Sequence, residues 1–292
     1  MKNVQLVDVC SVFFRFYFSS APEILNDDGW DVSALLAMTR WLCNKELLEA
    51  DVVVLAFDES LGTGFRHQID ESYKANRPLP TEDIVYQLTL LKSIGEYLGF
   101  IVLASEKYEA DDLIASAINK LSENSCVIYS RDKDLRQLLS KNVSVLDFVT
   151  NTLWTPEYLH EKTGLKPHQI PLYLALVGDA SDNISGVPGV GDITARRLLK
   201  TLSDWSKLIT AISSDVLLNI RGEARIKCNI LASQALVQKN LQLTELELNA
   251  PMTLKNTSPN EDNWQILNAL LEKINLKKPL KKSLELVSGY VV

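Results

Sequence analysis

The sequence predicts an α/β fold: a mostly parallel central sheet sandwiched by helices, followed by a helical region. Three observations predict it. Short, almost wholly apolar runs recur through the first half of the chain, as expected of parallel strands covered on both faces. Amphipathic helical patterns alternate with them. After about residue 150 the strand pattern nearly vanishes and helical patterns take over.

The strands are read at Val4 to Val7, Val52 to Phe57, Phe100 to Leu103, Cys126 to Tyr129 and Val143 to Leu146. Helical patterns run over about Val32 to Leu48, Ile84 to Leu98, Asp111 to Leu121 and Lys133 to Leu139. The expected division is an α/β domain over 1–150, a helical region over 151–250 and a C-terminal extension over 251–292. Residues 59–83 form a long polar connection inside the α/β unit, and connections of that length are usually functional or disordered. The stretch from Pro251, with Asn256-Thr257-Ser258-Pro259-Asn260, reads as weakly ordered. A short helix is expected from Trp264 to Ile274, and Lys277-Lys278-Pro279-Leu280-Lys281-Lys282 reads as a solvated basic tail.

With 292 residues, 46% of them hydrophobic and 23% charged, the chain can bury a full core. No apolar run approaches the ~20 residues of a membrane span. The N-terminus reaches Asp8 too early for a secretory signal, so a cytoplasmic protein with no membrane partner is expected. Cys10, Cys43, Cys126 and Cys228 form no Cys-x-x-Cys pair, and the histidines are His67, His160 and His168. That inventory suits thiols in a reducing compartment and argues against zinc. The net charge of −7 argues at first against a nucleic-acid partner. The objection weakens if the excess carboxylates belong to one metal site.

They do converge. Ligands of parallel α/β sheets bind beyond the carboxyl ends of the strands, and Asp8, Asp58 and the pair Asp132/Asp134 each follow a strand. Glu109, Asp111 and Asp112 open a helix. One acid there would be ordinary capping, but three in four residues exceed what capping requires. Asp179 and Asp182 follow the apolar helix Pro171 to Val177, where the dipole opposes them and something positive should compensate. Oxygen ligands without His or Cys select hard ions, Mg²⁺ or Mn²⁺. Two such ions suit in-line displacement at phosphorus.

Gly186-Val187-Pro188-Gly189-Val190-Gly191 lacks the preceding strand and the Gly-Lys-Ser/Thr ending of a nucleotide loop. Read as a helix-hairpin-helix over about 183–201, with Arg196, Arg197 and Lys200 on its second helix, it suits sequence-independent grip on a DNA backbone. In the long connection, Lys74 and Arg77 share a helical face by i, i+3 spacing, with Tyr73 beside them. Cations there would stabilise charge on a phosphoryl group, and the ring could stack on a splayed base.

Phe65-Arg66-His67, Tyr73-Lys74-Ala75-Asn76-Arg77, Tyr108-Glu109-Ala110-Asp111-Asp112, Asp132-Lys133-Asp134-Leu135 and Gly178-Asp179-Ala180-Ser181-Asp182-Asn183 stand in one order, followed by the glycine hairpin. Over about residues 4–240 the chain resembles the 5′-nuclease family that includes the N-terminal domain of bacterial DNA polymerase I, phage 5′ exonucleases and flap endonucleases. The resemblance implies a PIN-like α/β nuclease acting on 5′-flap, nicked or 5′-ended duplex DNA in replication or repair. It implies two Mg²⁺ ions, replaceable by Mn²⁺, among Asp8, Asp58, Glu109, Asp111, Asp112, Asp132, Asp134, Asp179 and Asp182. Lys74 and Arg77 would belong to a helical arch over about 62–83, with Asp8 and Asp134 foremost among the catalytic carboxylates. Arg66, Tyr73, Lys74, Arg77, Gly186, Gly189, Gly191, Arg196, Arg197 and Lys200 would meet DNA. The hairpin resembles the family's helix-three-turn-helix, which can hold K⁺ through backbone carbonyls.

The chain departs from the family at Val9, where a glycine is usual, while Arg15 keeps the family's downstream arginine. It shows no polymerase or sliding-clamp motif, and a free-standing, monomeric nuclease is expected. Two rival readings are a PIN-type ribonuclease and a catalytically silent DNA-structure-binding protein. The hairpin argues against the first and the complete carboxylate set against the second.

Overall fold

A computed structural model describes residues 1–19, 22–60, 62–214, 218, 220–255 and 260–291. The first half alternates as the apolar runs require. Strand β1 (Asn3–Asp8) leads into α1 (Val9–Tyr17), then α2 (Ser33–Leu42) and α3 (Lys45–Leu48). Next come β2 (Val52–Asp58), α4 (Phe65–Ile69), α5 (Glu82–Tyr97), β3 (Ile101–Ser105), α6 (Ala110–Lys120) and β4 (Ser125–Tyr129). A 3₁₀ turn over Asp134–Leu138 precedes β5 (Val143–Asp147) and β6 (Thr152–Trp154).

These strands make one sheet in the order β3-β2-β1-β4-β5-β6, parallel throughout except for β6, which runs antiparallel to β5. The chain winds outward from β1 in both directions, so the order reverses between β1 and β4. A crevice opens at such a reversal, beyond the carboxyl ends of the strands.

The helical half comprises α7 (Pro156–Thr163), α8 (Ile170–Val177), a two-strand ribbon of β7 (Gly178–Asp179) and β8 (Ile184–Ser185), α9 (Asp192–Thr201), α10 (Trp205–Ser213), α11 (Glu223–Ala232) and α12 (Gln234–Thr244). Helices α13 (Glu261–Lys273) and α14 (Lys281–Ser288) close the chain.

Alternation along the strands divides the core in two. Val4, Leu6, Val52, Val54 and Ala56 face α6 and, through it, the helical half, including Leu172, Leu198 and Val237. Val7, Val53, Leu55 and Phe57 face α1, α2 and α5. Among the described residues no helix is long and apolar enough to cross a membrane.

Four features differ from the sequence reading. The aromatic-rich run after Asp8 is a helix, α1, and the sheet gains β6 past residue 150. Instead of a solvated tail, Leu276, Leu280, Leu284 and Val287 are buried in the second core with α2 and α5. Each such side chain contributes about 1.5–3 kcal/mol, while Lys278, Lys281 and Lys282 between them stay exposed. Of the stretch read as weakly ordered, 256–259 lies outside the described residues. Finally, the segment expected to arch is helical only in α4; turns follow over 70–77.

Candidate active site

Asp8 ends β1 and caps α1, its Oδ1 accepting from Ser11 N at 3.1 Å. Its Oδ2 accepts from Ser130 Oγ at 2.7 Å, and the same hydroxyl accepts from Asp132 N at 2.9 Å. Ser130 thus joins the ends of β1 and β4 across the topological switch. Asp58 ends β2, where Ser60 Oγ donates to it at 3.0 Å. Asp132 Oδ1 accepts from Asp134 N at 2.9 Å, while Asp134 Oδ1 is buried without a partner. Asp8, Asp58, Glu109, Asp111 and Asp132 line one cleft of about 340 Å³ with Lys74 and Arg77. A second, more apolar cavity of about 670 Å³ adjoins it.

The sheet-edge acids are held where ionisation is costly. Burial, with the charges of Asp132 and Asp58, raises Asp8 to about 6. Burial and its acidic neighbours push Asp111 and Asp134 well above the usual carboxylate range. Burial also raises Asp58 and Asp132. A buried carboxylate beside others resists ionisation unless a cation is near. Among the described residues no three of these groups are drawn together closely enough to grip one ion. All-oxygen donors, raised pKa values and an unpartnered buried oxygen on Asp134 fit hard divalent ions.

The remaining acids have cations from the chain itself. Lys74 Nζ lies 2.8 Å from Glu109 Oε1 and 3.8 Å from Asp182 Oδ2. Arg77 Nη2 reaches Asp182 Oδ1 at 2.5 Å, and Lys133 Nζ reaches Asp179 Oδ2 at 2.8 Å. Burial alone would raise Glu109 and Asp179, but Lys74 and Arg66 hold Glu109 below its usual value and Lys133 does the same for Asp179. The positive charge that the end of α8 demanded is therefore supplied by Lys133, Arg77 and Lys74.

The 70–77 turns are pinned onto the loop after β7. Lys74 N donates to Asp182 O, Asn76 Nδ2 to Ala180 O and Asn183 Nδ2 to Ser72 O. Lys74 takes φ +53°, a left-handed conformation uncommon for a lysine and frequent where strain serves a site. Helical i, i+3 spacing therefore does not relate Lys74 to Arg77; a turn does.

Three assignments require correction. Arg66 cannot meet DNA: it is 2% exposed, and all five of its N–H donors are used on Asp112, Glu109, Leu243 O and Glu245 O. Asp112 has no lone pair left for an ion. Its four sites accept from Arg66 twice, from Glu109 N and from Glu247 N, which saturates a carboxylate. Tyr73 cannot stack on a base, because it is buried with its hydroxyl 3.1 Å from both Glu109 Oε2 and Asp182 Oδ2.

At the hairpin, α8 and α9 flank the glycine turn. Gly186 is required by packing, since a Cβ there would lie 2.1 Å from Val177 O, and Gly189 takes φ +80°. Gly191 caps α9 in extended backbone that any residue adopts. Arg197 and Lys200 are exposed. Arg196 instead pairs with Asp192 at 2.5 Å and lies over the Tyr173 ring.

Sequence reasoning passed over Lys133, Ser130 and Cys10. Lys133 stands between Asp132 and Asp134, and Ser130 directly follows β4, so both carried a strand-end signal. At the departure site, the Val9 side chain is buried in the core with Val12 and Phe13, and it is Cys10 that lines the cleft.

Residues 3–164 match the family model of the 5′-3′ exonuclease N-terminal resolvase-like domain, and residues 165–284 match that of the 5′-3′ exonuclease C-terminal SAM fold. A 5′-3′ exonuclease of Aquifex aeolicus is 35% identical over 217 residues, covering 71% of this chain and 74% of that one. A 5′-3′ exonuclease of Buchnera aphidicola is 30% identical over 287 residues, covering 97% and 94%. The chain spans 24% of a thermostable DNA polymerase I of Thermus thermophilus, to which it is 36% identical over 208 residues. In fold it is similar to the bacteriophage T5 D15 flap endonuclease solved with DNA and metal ions, with a TM-score of 0.65 at 22% identity over 98% of this chain and all of that one. With the two family models together spanning residues 3–284, the chain belongs to the 5′-3′ exonuclease family.

Proposed function

We propose that the chain hydrolyses phosphodiester bonds near 5′ ends and flap junctions of DNA, using two Mg²⁺ ions for which Mn²⁺ can substitute. One observation carries the metal requirement: Asp8, buried, and Asp58, Asp111, Asp132 and Asp134, half-buried, stand near one another with raised pKa values. Divalent ions there would supply water activation and charge neutralisation. Glu109, Asp179 and Asp182 complete the donor set, and Asp112 is left out of it.

The chain's own residues do the rest. Asp8, held by Ser11 and Ser130, presents a fixed carboxylate at the switch point. Lys74 and Arg77, on the cleft wall, would meet the non-bridging oxygens of the scissile phosphate as charge builds there. Arg197, Lys200 and the backbone of the hairpin would grip duplex phosphates without reading bases, and K⁺ at the hairpin carbonyls would steady that turn. The buried free thiols of Cys43 and Cys126 suit a reducing cytoplasm, and action as a monomer on one junction is consistent with the site lying within a single chain.

The test is cleavage of an end-labelled double-flap DNA with Mg²⁺, with Mn²⁺ and with excess EDTA. Cutting near the junction with either ion and none with EDTA is expected. Undiminished cutting in EDTA overturns the metal centre, and cutting of RNA in preference to flap DNA overturns the substrate.

A further inference from the structure

We infer that Arg66 and Tyr73 are positioning residues that pin one oxygen of Glu109, so that the other alone is offered to the metal centre. This rests on the reading of Glu109 as a metal ligand. Glu109 Oε2 accepts from Arg66 Nη1 at 3.3 Å and from the Tyr73 hydroxyl at 3.1 Å. Its Oε1 accepts from the Lys74 ammonium, at 2.8 Å, on the wall of the cleft. The carboxylate is thus split between a buried oxygen with fixed partners and a cleft-facing oxygen with an exchangeable one.

Arg66 is built for the task. Its fork clasps both oxygens of Asp112 at 2.6 and 2.8 Å, and Asp112 in turn accepts from the Glu109 backbone at 3.1 Å. Side chain and backbone of Glu109 are therefore both referred to one guanidinium. Arg66 Nε and Nη2 also donate to the carbonyls of Leu243 and Glu245 at the end of α12. The orientation of one carboxylate is thereby tied to the seating of the helical half. A lysine could not replace these contacts, because it has three donors and no fork. Partners behind a ligand commonly account for 10–100-fold in metal affinity.

A guanidinium that merely joined three elements would be buried in the same way, so the readout must be the metal. The measurement is free Mn²⁺ by electron paramagnetic resonance during titration of the full chain, with thermal melting alongside. Wild type, Arg66→Lys, Tyr73→Phe, Glu109→Gln and the double variant Arg66→Lys/Glu109→Gln are compared. Arg66→Lys and Tyr73→Phe should each weaken Mn²⁺ binding about tenfold. In the Glu109→Gln background, Arg66→Lys should cost nothing further. Tyr73→Phe removes only a hydroxyl, so it decides the matter if Arg66→Lys fails to fold. Wild-type affinity in folded Arg66→Lys or Tyr73→Phe overturns the pinning role, as does an undiminished tenfold loss in the Glu109→Gln background. A wild-type chain that binds no Mn²⁺ overturns the metal centre itself, and the pinning role with it.

Discussion

Two sets of carboxylates meet in this molecule and are treated in opposite ways. Asp8, Asp58, Asp111, Asp132 and Asp134, on the sheet edge and at the start of α6, share one another's repulsion and are raised above their ordinary values. By contrast, Glu109, Asp112, Asp179 and Asp182 each have a cation from the chain within 3 Å. The second set has its countercharge from the chain itself. The first costs stability until an external cation arrives, because a buried charge without a partner is expensive. Under the proposed function, the difference marks where the molecule gives up stability for chemistry.

The contrast is broken most sharply at Asp134. Asp134→Asn should lower single-turnover flap cleavage by at least about 10³-fold, the upper scale of losing one electrostatic contributor. It should also raise the melting temperature of the metal-free protein, by about 2 °C for each kcal/mol of repulsion removed. A variant that loses activity and melts lower than wild type would make Asp134 a folding residue.

Lys74 comes next, as a cation serving both fold and reaction. Lys74→Ala should slow the cleavage step about 10²-fold with little change in duplex affinity, and Lys74→Arg should recover only part of it. Equal single-turnover rates for the three proteins at saturating enzyme would remove Lys74 from the site.

Away from both sets, neutralising Arg197 and Lys200 together should weaken duplex binding and flatten its salt dependence by about one unit of slope per lost phosphate contact. Single-turnover cleavage at saturating enzyme should stay near the wild-type rate. An unchanged salt slope would move the duplex grip off α9.

The smallest effect is read in degrees. Asp8 is raised to about 6 in the fold, above its ordinary ~3.9. Its contribution to stability is therefore fully present below ~3.9 and is lost as pH rises through about 6. Glu109 and Asp179, being lowered, contribute in the opposite sense and lose their share only as pH falls through their folded values. The gap in melting temperature with and without Mg²⁺ should accordingly widen between pH 4.5 and pH 7, as ion binding relieves a repulsion that low pH has already removed. A gap independent of pH would mean that the sheet-edge set does not bind the ion.

Much of this was legible in the sequence. Asp8, Asp58 and Asp132 were placed by the ends of apolar runs, since a strand buried on both faces advertises its length directly. The hairpin was legible from its glycines. Arg66 and Asp112 were not: both stand in acid-and-base motifs that read as functional, yet they neutralise each other in the core. Tyr73 likewise reads as a ring free to stack and is buried instead. The lysines of 277–282 read as a tail because their spacing hides Leu276 and Leu280, which find a core only on the far side of the first domain.

By itself, then, the sequence determined the alternation of the five parallel strands with helices and which acids follow strand ends, because periodicity and strand ends are local properties. Only the tertiary structure decided which acids keep a cation and which are left to repel. Arg66 meets Asp112 across 46 residues, Lys74 meets Glu109 across 35, and Arg77 meets Asp182 across 105. A carboxylate's charge state depends on burial and on neighbours within a few ångströms, and at those separations the chain order does not say which neighbours they will be.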